Sequence, residues 1–175
     1  VLLSKMLLAI KIKREKVYST YSINFRPPND RKPTTQEIKR YSIFLKEHIS
    51  IIDPKILILM GSTAMEAVTG LNNQISNERG NWKEIIIGNK TIPVIITFNP
   101  SYLIRYPEKK KFSWEDLKKI RKKEIRDKKG EKKKKKRDKK KEGQSPLGIR
   151  SESDTFDVRR AILRERPLWR KMSVR

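Results

Sequence analysis

The chain has 175 residues, one histidine and no cysteine, with 37% charged residues, 35% hydrophobic residues and a formal net charge of +24. That leaves room for one ordinary domain, or an incomplete domain and a tail. It excludes disulfides and thiolate-held metal within the chain, makes a reducing compartment such as the bacterial cytoplasm the default, and favours a polyanionic partner. No apolar run approaches the roughly 18 residues of a membrane span, so no membrane partner is expected. The first residue is Val, which places the expected start of the protein upstream. The charge is uneven: Val1–Leu117 carries 19 Lys/Arg against 11 Asp/Glu, a net of +8, and the remaining +16 falls after Leu117. Any core must therefore lie in the front part.

Leu2, Leu3, Leu7, Leu8 and Ile10 recur close to helical spacing. Val17–Phe25 reads as a strand, ended by Arg26-Pro27-Pro28, where two prolines rule out helix. Thr34-Thr35-Gln36-Glu37 matches a capping box. The stripe Ile38, Tyr41, Phe44, Leu45, His48, Ile52 follows it at helical spacing until Asp53-Pro54. On that stripe His48 reads as a core-edge residue and not as a ligand. Ile56–Met60 is a continuous apolar run, as in a strand buried on both faces. Gly61-Ser62-Thr63 turns into a helix that ends at Gly70. Ile85–Ile87, Gly88-Asn89 and Thr91–Phe98 form a hairpin running into a second buried strand. Asn99-Pro100-Ser101 is the loop beyond it. Ser113 caps a last helix through Trp114, Leu117 and Ile120, with Trp82 and Trp114 read as packing residues.

This alternation of strand and helix predicts an α/β fold, a three-layer α/β/α sandwich around a short parallel sheet. In such sheets ligands bind beyond the C-terminal ends of the strands, so the loops after Phe25, Met60 and Phe98 should converge on one edge. Domain organisation follows as residues 1–122 folded and 123–175 a basic low-complexity tail. Lys132–Lys136 and Lys139–Lys141 have no apolar face, which predicts a solvated, disordered segment. Adenine-rich coding of a lysine run also raises the prospect of a shifted reading frame after it.

Four segments in order carry a resemblance: VYSTYSINFRPPNDRKPT with its capped helix, IDPKILILMGSTA, ISNERGNW, and PVIITFNPSYLIR with the trailing WEDLKKI. Together they resemble the iron–sulfur (family four) uracil-DNA glycosylases, over roughly Leu2–Lys122. The resemblance implies an enzyme that turns deoxyuridine out of the duplex and cleaves its glycosidic bond. Such cleavage puts positive charge on the sugar and negative charge on the departing base. Donors must face the base, and a carboxylate must lie near the sugar or its attacking water. By the resemblance Asn99 is the catalytic donor at the uracil pocket, in place of the family's histidine, and Tyr21 stands where a uracil-reading asparagine is expected. DNA contacts are assigned to Arg26, Arg31, Gly61, Ser62, Thr63, Pro100, Ser101, Leu103 and Arg105. For Gly61-Ser62-Thr63 a plain strand-to-helix turn is the first reading and a phosphate cradle the second.

The departures from the family are equally informative. Its Gly-Glu-x-Pro-Gly loop, which carries the carboxylate, and the central strand before it belong upstream of Val1. Two cluster cysteines belong there too, and the other two align with Phe25 and Tyr41. No cofactor is therefore expected, and the two aromatics should fill the cluster's space by packing. The expected function is uracil excision from DNA in base-excision repair by a monomer, with the fragment itself inactive. The alternative is a noncatalytic, basic nucleic-acid-binding protein that keeps the fold as a scaffold.

Overall fold

The apolar run Ile56–Met60 has no polar alternation. In the computed structural model, which describes residues 2–142 and 160–164, it is strand β2, with every residue at most 3% exposed. A strand so buried must have its backbone groups paired on both edges and its side chains covered on both faces. On one edge lies β4 (Lys90–Thr97), parallel to it, and the antiparallel β3 (Trp82–Ile87) closes that side of the sheet. On the other edge lies β5 (Arg160–Arg164), itself paired in parallel with β1 (Tyr18–Tyr21). The order across the sheet is β1-β5-β2-β4-β3.

Alternate side chains of the strands enter two separate cores. Leu57, Leu59, Val94, Ile96 and Leu163 meet α2 (Thr35–Ile52) and α3 (Ser62–Thr69) through Ile38, Leu45, Ile49, Met65 and Val68. Ile58, Met60, Ile95 and Ile162 meet Leu3 and Leu7 of α1 (Leu2–Ala9), with Leu117 and Ile120 of α6 (Lys110–Glu142). The result is the three-layer α/β/α sandwich that the sequence predicts.

Local chemistry explains most boundaries. Thr34 closes a full capping box on α2: its hydroxyl accepts from the Glu37 amide at 3.3 Å and its own amide donates to Glu37 Oε2 at 2.8 Å. Asp53 ends α2 in a left-handed conformation at φ 48°. The β3–β4 turn needs Gly88 at φ 60°, a conformation glycine adopts without steric cost. Phe44, expected on the buried stripe of α2, is 62% exposed and rests edge-on against Tyr41. Trp114, expected to pack, is 44% exposed. Ser113 does not start α6, which begins at Lys110; Ser113 is buried, with its hydroxyl 3.4 Å from that of Thr97.

The larger corrections concern the expected tail. Residues 123–142 continue α6 as helix through the lysine run. Lys and Glu are good helix formers, and an anchored helix extends without a new nucleation cost. Residues 160–164 are not tail either. They fill the centre of the sheet, where a missing strand is expected, with Ile162 0% and Leu163 1% exposed. Ala161-Ile162-Leu163 has the signature of β2 in miniature, hidden by flanking arginines. The other residues of the expected tail, 143–159 and 165–175, lie outside the described residues, and with them any test of a shifted frame.

The route into β5 is physically consistent. Near its start α6 touches the C-terminal end of β4 through Asp116 and Thr97. Further on, Glu131 is ion-paired with Lys55, which immediately precedes β2. α6 therefore delivers the chain to the N-terminal edge, from which a parallel strand must start. Replacing Ile162 by Ala should lower stability by about 2–5 kcal/mol in urea unfolding of the whole chain. Ile86→Ala, at a 76% exposed position, should change it by about 0.5 kcal/mol or less. Equal, negligible effects would mean that residues 160–164 do not belong to the sheet.

Candidate active site at the C-terminal edge of the sheet

Four parallel strands end level with one another. Tyr21 pairs with Arg164, Arg164 with Met60, and Met60 with Thr97, forming one row across the sheet. At about 4.8 Å per strand, Tyr21 and Thr97 are roughly 14 Å apart along that row. The loops that follow Tyr21, Met60 and Thr97 hold nearly all the predicted site residues. They share this edge, as expected of an α/β sheet.

Asn99 is the best-defined of them. It is 6% exposed and caps α5 (Pro100–Arg105), its Oδ1 accepting the Ser101 amide hydrogen at 2.8 Å. The oxygen serves as the cap's acceptor, and the amide nitrogen can act only as a donor. Pro100 occupies the first helical position, where its missing N–H costs nothing. Tyr21 is half-buried at the end of β1, while Asn99 follows the end of β4. The two proposed pocket residues therefore lie at opposite ends of the row, with β5 and β2 between them.

The remaining predicted residues divide. Gly61 sits at φ 105° as N-cap of α3, and its amide donates to Thr97 O at 3.0 Å, tying the β2 and β4 ends together. Ser62 and Thr63 form the first turn of α3. Arg26 makes a two-point ion pair with Asp30. Arg31 makes one with Glu37, at 2.7 and 2.8 Å, folding its loop onto the α2 cap. Each arginine would have to leave its partner to reach a phosphate. Arg105 is exposed at the end of α5. Leu103 does not fit a DNA contact: it is 1% exposed in the core with Met60 and Phe98.

Phe25 and Tyr41, at the positions the resemblance gives to cluster cysteines, pack as a tilted pair with ring centroids 4.8 Å apart. The chain has no cysteine, and no group of three or more metal-binding side chains gathers among the described residues. These positions do not fit an iron–sulfur cluster. His48 hydrogen-bonds the Tyr18 hydroxyl at 2.6 Å, in keeping with its core-edge reading.

The residues that hold the site together are ones that sequence reasoning left without a role. Arg79 donates to both carboxylate oxygens of Asp116, at 2.6 and 3.1 Å, and to the Phe112 carbonyl. Asp116 also accepts from Thr97 Oγ1 at 2.8 Å. The guanidinium lies over the rings of Phe98 and Phe112. Gly80 is pinned beside it: its amide donates to Ile96 O at 2.9 Å, and a Cβ there would come within 2.5 Å of Asp116 Oδ1. This cluster grips both residues before Asn99. Burial pushes the Asp116 carboxyl above its ordinary value, opposed by Thr97, Arg79 and Lys119. The available signal was the Arg79-Gly80 pair within ISNERGNW, just after the short helix α4 (Ile75–Glu78), whose partner lies 37 residues away.

Removing Asp116 leaves a buried guanidinium without its carboxylate, the side chains being 14% and 0% exposed. Asp116→Ala should therefore cost about 3–5 kcal/mol in urea unfolding. A pH prediction attaches to the α2 cap. The hydrogen bond from Arg31, then that from the Thr34 amide, holds the Glu37 carboxyl at about 2. Its folded value lies below the ordinary value of about 4.3, so its contribution is present above that pH and is lost as pH falls towards 2. The unfolding midpoint of Glu37→Gln should depend less steeply on pH across that window than that of the unmodified chain.

With this geometry in hand, comparison with known proteins is direct. The family model of the Uracil DNA glycosylase superfamily matches residues 1–118. The Type-4 uracil-DNA glycosylase of Thermotoga maritima is 38% identical over 123 residues, covering 69% of this chain and 62% of that protein. The Type-4 uracil-DNA glycosylase of Archaeoglobus fulgidus is 30% identical over 123 residues, covering 68% and 62%. A DNA polymerase of Bacillus phage SP01 is 32% identical over 103 residues, covering 59% of this chain and 11% of the polymerase. The chain thus spans about 62% of the length of the two glycosylases. On its matched residues, and with the fold and site edge described above, the chain belongs to the uracil-DNA glycosylase superfamily.

Proposed function

We propose that this chain carries the base-facing half of a site that flips uracil out of DNA and cleaves its N-glycosidic bond, in base-excision repair. The observation that supports this most is Asn99, a buried amide at the site edge that the α5 cap holds in place through its oxygen and whose nitrogen can act only as a donor. A donor held in place stabilises the negative charge that builds on the departing base, and removing one typically costs about 10²–10³ in rate. A neutral amide cannot bring a positive charge, so its contribution should fall below that of a charged donor. Tyr21 would border the same pocket with a phenol, which cannot pair with uracil as an amide does. Arg26, Arg31, Ser62, Thr63, Ser101 and Arg105 would line the DNA-facing rim. We take the protein to act as a monomer in a reducing compartment. Among the described residues no helix is long and apolar enough to cross a membrane.

The chemistry also needs a carboxylate near the sugar. Asp30 is committed to Arg26, and Asp116 to Arg79 and Thr97. Among the described residues neither of these carboxylates is free to serve the sugar, and we expect the chain by itself to be inactive.

A second reading, a noncatalytic DNA-binding scaffold, is favoured by the lysine run that continues α6. Incubating the purified chain with uracil-containing duplex and measuring free uracil separates these cases. No release, with equal affinity for uracil-containing and normal duplex, supports the scaffold. No release with a preference for uracil supports a glycosylase pocket lacking its carboxylate. Release abolished by Asn99→Ala would overturn the expected inactivity.

A further inference from the structure

The direction of α6 separates its lysine run from the candidate active site. The helix starts at the site edge, where Ser113 and Asp116 meet Thr97, and reaches the opposite edge by Glu131, beside Lys55. Residues Lys132–Lys139 follow, every one of them exposed. At 1.5 Å per residue, Lys136 lies about 35 Å along the helix from Ser113. From Lys132 to Glu142 there are nine Lys/Arg and two Asp/Glu, a net of +7.

Like charges spaced along a helix destabilise it, so an arm of this kind is best satisfied by a polyanion. Its composition narrows the choice. Lys132–Lys139 contains no apolar residue, so it has nothing to insert into a bilayer interface. It contains no aromatic residue, so it offers no platform on which unpaired bases could stack. Lysine ammonium groups bind phosphate as point charges and carry no base-reading geometry. These features fit the backbone of double-stranded DNA, read without regard to sequence.

We propose that residues 132–142 form a second duplex-binding arm, on the far side of the domain from the pocket, which holds a separate stretch of DNA while the site edge engages its own. The two-duplex geometry rests on the proposed DNA contact at the site edge; the arm's affinity for duplex does not. Two surfaces on one small domain raise the effective concentration of the second duplex and would let the protein pass between neighbouring segments.

The test uses the full chain and normal, uracil-free duplex, so it does not depend on excision. One biotinylated duplex is immobilised, the protein is bound, and capture of a second, fluorescent duplex is measured at low salt. The variant carries Lys132→Gln through Lys136→Gln, which keeps helix propensity and should leave the thermal midpoint unchanged. The full chain should capture the second duplex, and the variant should fail to do so while still binding the first. The slope of log affinity against log salt should fall by up to about 4.5, at roughly 0.9 for each phosphate that the variant no longer neutralises. Undiminished capture or an unchanged slope in the variant overturns the proposal. So does a full chain that saturates with one duplex, or a variant that no longer holds the first, since arm and edge would then grip the same segment. Capture of phosphatidylserine vesicles in place of the second duplex would assign the arm to membranes and overturn it as well.

Discussion

β2 cannot be an edge strand. All five of its residues are buried, and the backbone groups of such a strand require partners on both sides because no water reaches them. β4 supplies one side, and the other is filled by β5, drawn from more than 90 residues later in the chain. That single pairing also gives β1 its place, since β1 joins the sheet through β5. The row Tyr21, Arg164, Met60, Thr97 is therefore a product of β5, and the candidate site edge exists because the row is level.

At the other end of that row a buried ion pair plays a similar part. Arg79 and Asp116 lie far apart in sequence, yet with Thr97 they join the end of β4, the β3-side loop and α6 at one point. Taking both charges out of water is costly, and the pair is acceptable because Thr97, Phe112 O and two aromatic faces satisfy it. The consequence is positional. The cluster fixes Thr97 and Phe98, and the α5 cap fixes Asn99, so the amide donor sits between two constraints and has little freedom of its own.

The departures from the family pattern are consistent with one another. Aromatic rings at Phe25 and Tyr41 pack against each other where thiolates are expected from the resemblance, so the loop after β1 is held by packing and by the Arg26–Asp30 and Arg31–Glu37 pairs. These pairs are exposed and individually weak. They nonetheless occupy the two arginines that would otherwise be available to phosphate, so DNA binding at this rim would require exchange of ion-pair partners.

Wherever the information was local, the sequence was sufficient. The Thr34–Glu37 capping box, the apolar run of β2, the Gly88 turn and the Asn99-Pro100 helix start each depend on neighbours within a few residues, and each lies where its pattern indicates. The order of these elements was also enough to specify an α/β sandwich with its loops on one edge. What the sequence could not display was pairing over distance. Nothing local marks Ala161-Ile162-Leu163 as a central strand or Asp116 as the partner of Arg79, and nothing in the lysine run shows that it prolongs an anchored helix. Leu103 and Phe44 exchange their expected burial for the same reason, because exposure depends on which element lies opposite. Periodicity and capping are properties of a segment, so the sequence determined the elements. Strand order, charge pairing and the level of the site edge are properties of segments meeting, and only the tertiary structure decided those.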